Sequence, residues 1–356
     1  MAHQRSSSTV KPPPPNDPEL SPIENSIALS PLSELGPNIF TNTRAQWQPV
    51  GARGIFGGSV IAQSLLAAQL TVPAGFVVHS LHCYFMLAGN SHIPLIYHVD
   101  AVREGRSFHT RTVQARQQGK AIFTMIASFT VPLSAKYQGN EAAGGEEGWS
   151  KEVVAHQPAM PEGVIPPEEC ETELQVIDRQ LKSGRIDERS AERWRKTYER
   201  GPFEWRAPSA VVLREGGKPA TPADPPATKV TWQWVKSKTP IRDPIYHNPA
   251  LAYVSDSWFI GSIGKVNPQA RKEKVGMMVS LDHTMYFHCG ERALVNDWVL
   301  VEKESPWAGE ERGLVRMRMW NRHGELLATC SQEGMVRLKD GREGETTTTA
   351  TLASKL

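Results

Sequence analysis

The chain has 356 residues, enough for one large or two ordinary domains around a substantial core. Its 40 Lys plus Arg against 38 Asp plus Glu give a formal net charge of +2, with no basic cluster to suggest nucleic acid. No apolar run nears the roughly 20 residues that span a bilayer, and Cys83, Cys170, Cys289 and Cys330 lack C-x-x-C spacing, so the composition points to a soluble intracellular protein without disulfides or zinc.

Residues 1–28 are rich in Ser and Pro and are expected to be disordered. A first folded unit is expected over 29–133. It carries Arg53-Gly54-Ile55-Phe56-Gly57-Gly58-Ser59, after which Ile61, Leu65 and Ala68 recur at i, i+4 and i+7 among other small apolar residues. That spacing predicts a helix buried on most sides, ended by Pro73 and Gly75. Strands are expected over 77–85, 94–103, 107–117 and 121–132, with hairpin turns at Glu104-Gly105-Arg106 and Gln118-Gly119-Lys120.

Residues 134–201 interrupt this pattern as an extended linker. Gly, Glu and Pro dominate as far as Glu169, and a charged stretch of helical composition follows, read as a solvated face. A second unit is expected over 202–339, with strands at 203–206 and 230–235 and a helix beginning with Asn248 as N-cap and Pro249 inside. Further strands are expected over 279–288, 298–305, 313–321 and 325–338. In the first of these, Val279, Leu281, Met285 and Phe287 alternate with Ser280, Asp282, Thr284 and Tyr286, and residues 78–85 hold a looser copy. Arg322-His323-Gly324 matches the earlier turn at Gln118-Gly119-Lys120. The order is α+β, a helix and then an antiparallel sheet, stated twice, which predicts two sheets each curled around a helix in an internal pseudo-dimer.

Residues 340–356 form a polar tail expected to be flexible. Ser354-Lys355-Leu356 is the tripeptide read by the peroxisomal import receptor, so the expected location is the peroxisomal matrix.

Three side chains stand out chemically. Asp256 shares an apolar helical face with Ala252, Phe259 and Ile263; it is either turned to the helix edge and solvated or a general base tuned by burial. Gln332 ends the apolar row Leu326, Ala328, Cys330, where the first unit has Ala127. Ser280 opens its strand where the first unit has Val78. No G-x-S-x-G elbow supports a serine acyl-enzyme, and His79, His82, His283 and His288 have no metal-ligand spacing. Gly57 and Gly58 open the first helix with free backbone N–H groups that could hold a carbonyl oxygen, or simply permit tight helix contact.

Gly57-Gly58-Ser59-Val60-Ile61-Ala62-Gln63, His79-Ser80-Leu81-His82-Cys83-Tyr84-Phe85, Leu281 to His288, and Gln332-Glu333-Gly334 together resemble the acyl-CoA thioesterase II family over about residues 29–339. The resemblance implies a double hotdog fold, assembly into a homo-oligomer, and hydrolysis of acyl-CoA to a fatty acid and CoA with no metal or redox cofactor. It implies Asp256, Ser280 and Gln332 as catalytic residues that activate a water, with Gly57 or Gly58 as the oxyanion donor. A hotdog enoyl-CoA hydratase and a non-catalytic acyl-CoA-binding protein are the alternatives. The first lacks its Asp/His motif here; the second sits poorly with three retained catalytic residues.

Overall fold

The computed structural model describes residues 14–49, 51–132, 154–209, 212–214, 217–270 and 274–339. The tail with Ser354-Lys355-Leu356 and the start of the N-terminal segment lie outside these residues.

Not all of the Ser/Pro-rich segment lacks structure. Helix α1 (Pro22–Ile27) is set by Ser21 as N-cap, Pro22 in its first turn and a capping box with Glu24. Ile23 and Ile27 are fully buried. The Glu24 carboxylate accepts N–H bonds from Ser21 (2.8 Å), Arg242 (3.2 Å) and Asp243 (3.2 Å), tying this segment to the second half of the chain. Polar composition masked a six-residue helix whose apolar side chains are spaced i, i+4.

Strands β1 (Leu29–Pro31) and β2 (Ile39–Asn42) lead to helix α2 (Gly57–Gln69), buried from Gly58 to Ala68. Then come β3 (Val77–Phe85), β4 (Ile96–Glu104), β5 (Phe108–Gln117) and β6 (Lys120–Thr130). The β5–β6 turn has φ 50° at Gln118 and 77° at Gly119, two successive left-handed residues as a tight hairpin requires. The charged stretch is two helices, α3 (Glu173–Lys182) and α4 (Glu188–Arg200), preceded by β7 (Glu171–Thr172). Ion pairs Arg179–Glu171 and Arg195–Asp178 hold their outer side, while Ile177 and Ala191 are buried.

The second half contains β8 (Phe203–Ala207), β9 (Leu213–Arg214) and β10 (Lys229–Ser237), then helices α5 (His247–Ser255) and α6 (Gly261–Val266). It closes with β11 (Val275–Ser280), β12 (Asp282–Phe287), β13 (Val299–Gly309), β14 (Arg312–Asn321) and β15 (Leu326–Leu338). Two expectations need correction here. Helix α5 starts at His247, because a 3₁₀ turn (Pro244–Tyr246) capped by the Asp243 side chain runs directly into it, and Asn248 lies inside. It also stops at Ser255, so residues 252, 256, 259 and 263 do not share one continuous helix; Trp258 takes a left-handed φ of 58° before α6 resumes.

The strands join into one sheet, ordered β1-β2-β4-β5-β6-β3-β12-β15-β14-β13-β10-β8-β7. The order β4-β5-β6-β3 on one side is mirrored by β13-β14-β15-β12 on the other. The halves meet at the antiparallel pair β3–β12, with Leu81 opposite Met285. Helix α2 packs on β3 to β6 and lies alongside α5, and one apolar cluster includes Ile61, Leu65, Leu251, Val254, Phe129 and Met317 from both halves.

Candidate active site

The expected strand over 279–288 breaks at Leu281, and the break has a chemical effect. In an unbroken strand, Ser280 and His283 would point to opposite faces. With Leu281 outside both β11 and β12, both side chains reach the same Gln332 amide. The neighbouring backbone is pinned by Leu281 N–H to Glu333 O (2.9 Å), Phe85 N–H to Leu281 O (2.9 Å) and Glu333 N–H to the Asp282 carboxylate (2.8 Å).

Gln332 is fully buried on the inward face of β15, as the row Ala328, Cys330, Gln332 predicts. Its Nε2 donates to Asp256 Oδ1 at 3.3 Å and to Ser280 Oγ. The structure thus brings Asp256, Ser280 and Gln332 together, from the end of α5, the end of β11 and the middle of β15.

Asp256 is partly buried at the C-cap of α5. Burial pushes its carboxyl up to about 7, against the opposing pull of hydrogen bonds from Gln332 and the Gly58 backbone N–H. The Gly58 bond crosses between the halves. Phe56, the N-cap of α2, offers no side-chain cap, so the carboxylate from α5 meets an uncapped, electropositive helix terminus. Both glycines are required by this approach. A Cβ on Gly57 would lie 2.7 Å from Asp256 Oδ2, and one on Gly58 would lie 2.6 Å from the Tyr253 carbonyl oxygen.

The counterparts in the first half, Val78 and Ala127, are buried and apolar. Among the other histidines singled out, His79 bonds Ser128, His82 bonds Thr284 and His288 bonds Thr329, each to a hydroxyl outside the Asp256 cluster. No group of three or more His, Cys, Asp or Glu with metal-binding geometry occurs among the described residues.

Two participants escaped the sequence reading. His283 bonds Gln332 and Ser255. Lys303, nearly inaccessible on β13, donates to the Ser257 carbonyl (3.1 Å) and Gln233 (2.9 Å), bracing the turn just after Asp256. Burial pushes its amine well below the usual lysine range, with Lys265 adding to the effect. Its signal was available: Val299, Val301 and Lys303 share one strand face, and a lysine there is as anomalous as Asp256.

Beside this segment lies a cavity of about 720 Å³, lined by Trp47, Phe56, Phe203, Trp205, Tyr253 and Trp258 and walled on one side by the end of α4. It is largely apolar and borders the residues on both sides of Asp256.

Two family models match the chain, the acyl-CoA thioesterase N-terminal domain over residues 43–130 and the acyl-CoA thioesterase C-terminal domain over residues 172–336. Acyl-coenzyme A thioesterase 8 of Mus musculus is 38% identical over 320 residues, covering 89% of each chain. Peroxisomal acyl-coenzyme A thioester hydrolase 1 of Saccharomyces cerevisiae is 30% identical over 346 residues, covering 89% of this chain and 95% of its own. A solved acyl-CoA thioesterase II from Mycobacterium marinum matches with a TM-score of 0.64 at 29% identity, over 90% of this chain and 99% of its own. The fold is an α+β hotdog. With both halves matched in order, the chain belongs to the acyl-CoA thioesterase II family and is a thioester hydrolase acting on acyl-CoA.

Proposed function

We propose that the chain hydrolyses fatty acyl-CoA by direct attack of water, with Asp256 as general base and Ser280 and Gln332 as orienting partners. The observation that carries this reading is the convergence of these three side chains at a carboxylate whose affinity for protons is raised to near neutrality. Asp256 takes a proton from water as the water oxygen bonds to the thioester carbonyl carbon. Collapse of the tetrahedral adduct breaks the C–S bond, and the CoA sulfur leaves with that proton. Because the Gly58 N–H is engaged by Asp256, Gly57 is the better placed of the two glycines to stabilise the oxyanion.

In this reading the aromatic cavity takes the acyl chain. Thiol release should then rise with acyl length until the cavity is filled. Trp205→Ala should shift the optimum toward longer chains and lower kcat/KM for the original best substrate by about 10-fold, through lost apolar contact. No thiol release from any acyl-CoA would exclude hydrolysis, and an unchanged length profile in Trp205→Ala would remove the cavity assignment.

The two matching strand sets are read as a double hotdog, divided at residues 29–133 and 202–339 with a linker over 134–201. The three catalytic side chains all come from the second unit, and the first adds the helix terminus at Gly57 and Gly58. A homo-oligomer is favoured by exposed Tyr84, Ile126 and Tyr286 on the strands around the central pair. A peroxisomal matrix location is supported by Ser354-Lys355-Leu356 and by the yeast relative's name.

A further inference from the structure

His283 is fully buried and bonded at both ring nitrogens. Nδ1 lies 3.2 Å from Gln332 Oε1, and Nε2 lies 2.9 Å from Ser255 Oγ. Between this ring and the carboxylate stands one amide, which can face only one way. Ionised Asp256 accepts hydrogen bonds and cannot donate, so the Gln332 NH₂ must point to it and the Gln332 carbonyl oxygen must point to His283. That oxygen has no proton, so His283 must carry its proton on Nδ1. Nε2 is then a bare lone pair that needs a donor. Ser255 has one hydroxyl proton and lies within reach of both the Ala252 carbonyl (2.7 Å) and the ring. Among the described residues a buried, unprotonated Nε2 has no other donor, so the proton goes to the ring.

We propose that His283, held in its Nδ1–H tautomer by Ser255, is a positioning residue that fixes the facing of the Gln332 amide and so keeps a donor on Asp256. The donors then run in one direction, from Ser255 O–H to His283 Nε2, from His283 Nδ1–H to Gln332 Oε1, and from Gln332 Nε2–H to Asp256. The proposal rests on the assignment of Asp256 as the base. An inverted amide would set two oxygens 3.3 Å apart where the carboxylate is bonded, losing the donor and adding repulsion.

The charged groups nearest this arrangement are engaged elsewhere: the Asp282 carboxylate accepts the Glu333 N–H, and the Lys303 amine, pushed toward its neutral form by burial, donates to the Ser257 carbonyl and Gln233. Burial lowers His283 to about 4, so the ring is neutral at working pH and the site controls its tautomer rather than its charge. The titratable side chains coupled to Asp256 among the described residues are Cys83 from β3 and Tyr253 from α5, both kept protonated by burial. Cys330 of β15, next to Ser255, is also kept protonated by burial. Phe259 stands edge-on to the imidazole with ring centroids 5.7 Å apart, closing its remaining side.

The test compares His283→Asn, His283→Gln and His283→Leu in the full chain by thiol release, with Asp256→Asn alongside. Asparagine places an N–H where imidazole has Nδ1–H; glutamine reaches only the Nε2 position. His283→Asn should stay within about 3-fold of wild type, whereas the Gln and Leu variants should lose about 10- to 100-fold in kcat with KM unchanged. In His283→Gln the acid limb of kcat/KM should move to higher pH, because the amide that restrains Asp256 is released. Equal rates and acid limbs in His283→Gln and wild type would overturn the proposal, as would His283→Asn being as poor as His283→Leu. Nitrogen-15 spectra of the histidines in the wild-type chain read the tautomer without relying on any variant's folding, and a His283 Nε2–H form overturns the proposal directly. Full activity in Asp256→Asn would instead overturn the base assignment, with the tautomer measurement still deciding the arrangement at His283.

Discussion

Replacing Asp256 by Asn is expected to lower thiol release from acyl-CoA by at least about 100-fold, the scale of losing a positioned general base. In the wild type, kcat/KM should fall as pH drops below about 7, since the base must be ionised. The same group predicts a stability effect of opposite benefit. Its folded-state affinity for protons exceeds the unfolded one, so its favourable contribution is fully present below the unfolded value near 4. It is lost as pH rises through about 7. Between pH 5 and pH 8 this amounts to about 2–3 kcal/mol of lost unfolding free energy in wild type, absent in Asp256→Asn. Urea unfolding of both proteins at the two pH values measures it. Equal pH dependence in the two would show that the carboxyl is not raised.

Gly58→Ala is expected to damage both folding and catalysis. The added methyl would meet the Tyr253 carbonyl at 2.6 Å and the Phe56 ring at 2.5 Å. The ring can turn aside, but the carbonyl belongs to α5, so relief requires α2 and α5 to separate. Overpacking of this kind costs about 1–3 kcal/mol. It also draws the Gly58 N–H away from Asp256, so kcat should fall in the same variant. Gly261→Ala is the control: nothing lies within 4 Å of its added methyl, and stability should change by no more than about 0.5 kcal/mol. A Gly58→Ala protein as stable and active as wild type would show that the helix contact is not tight.

Much of this was legible from residue periodicity. Ala328, Cys330 and Gln332 placed an amide on an inward strand face, although a bulge at Leu327 sets Leu326 off from that row and into a separate apolar cluster, and β3 spans the same residues the alternation marked. Side chains that read as anomalies against an apolar pattern, Asp256 above all, proved to be neighbours in space. What escaped was set by local backbone irregularity. Period-two counting carries an unbroken strand through Leu281 and so puts Ser280 and His283 on opposite faces. Period-3.6 counting carries a helix through Asp256, although Trp258 turns left-handed two residues later. Neither break has a glycine or proline to announce it. Helix α1 was hidden for a different reason: its six residues sit inside a window whose overall composition is polar. The family resemblance supplied what periodicity could not, the grouping of three distant residues as one site.

The central β3–β12 pair also bears on how the chain is made. Cys83 and His283, opposite one another in that pair, are 200 residues apart in sequence. At a synthesis rate of about 5–20 residues per second, β3 emerges roughly 10–40 s before its partner exists. During that interval it presents an unpaired edge, Val77 to Phe85, able to pair with any extended strand, including the same edge of another nascent copy. A sheet that ends up without an edge at its centre therefore begins with one. The interval before β12 arrives is when misassembly on the ribosome competes with folding.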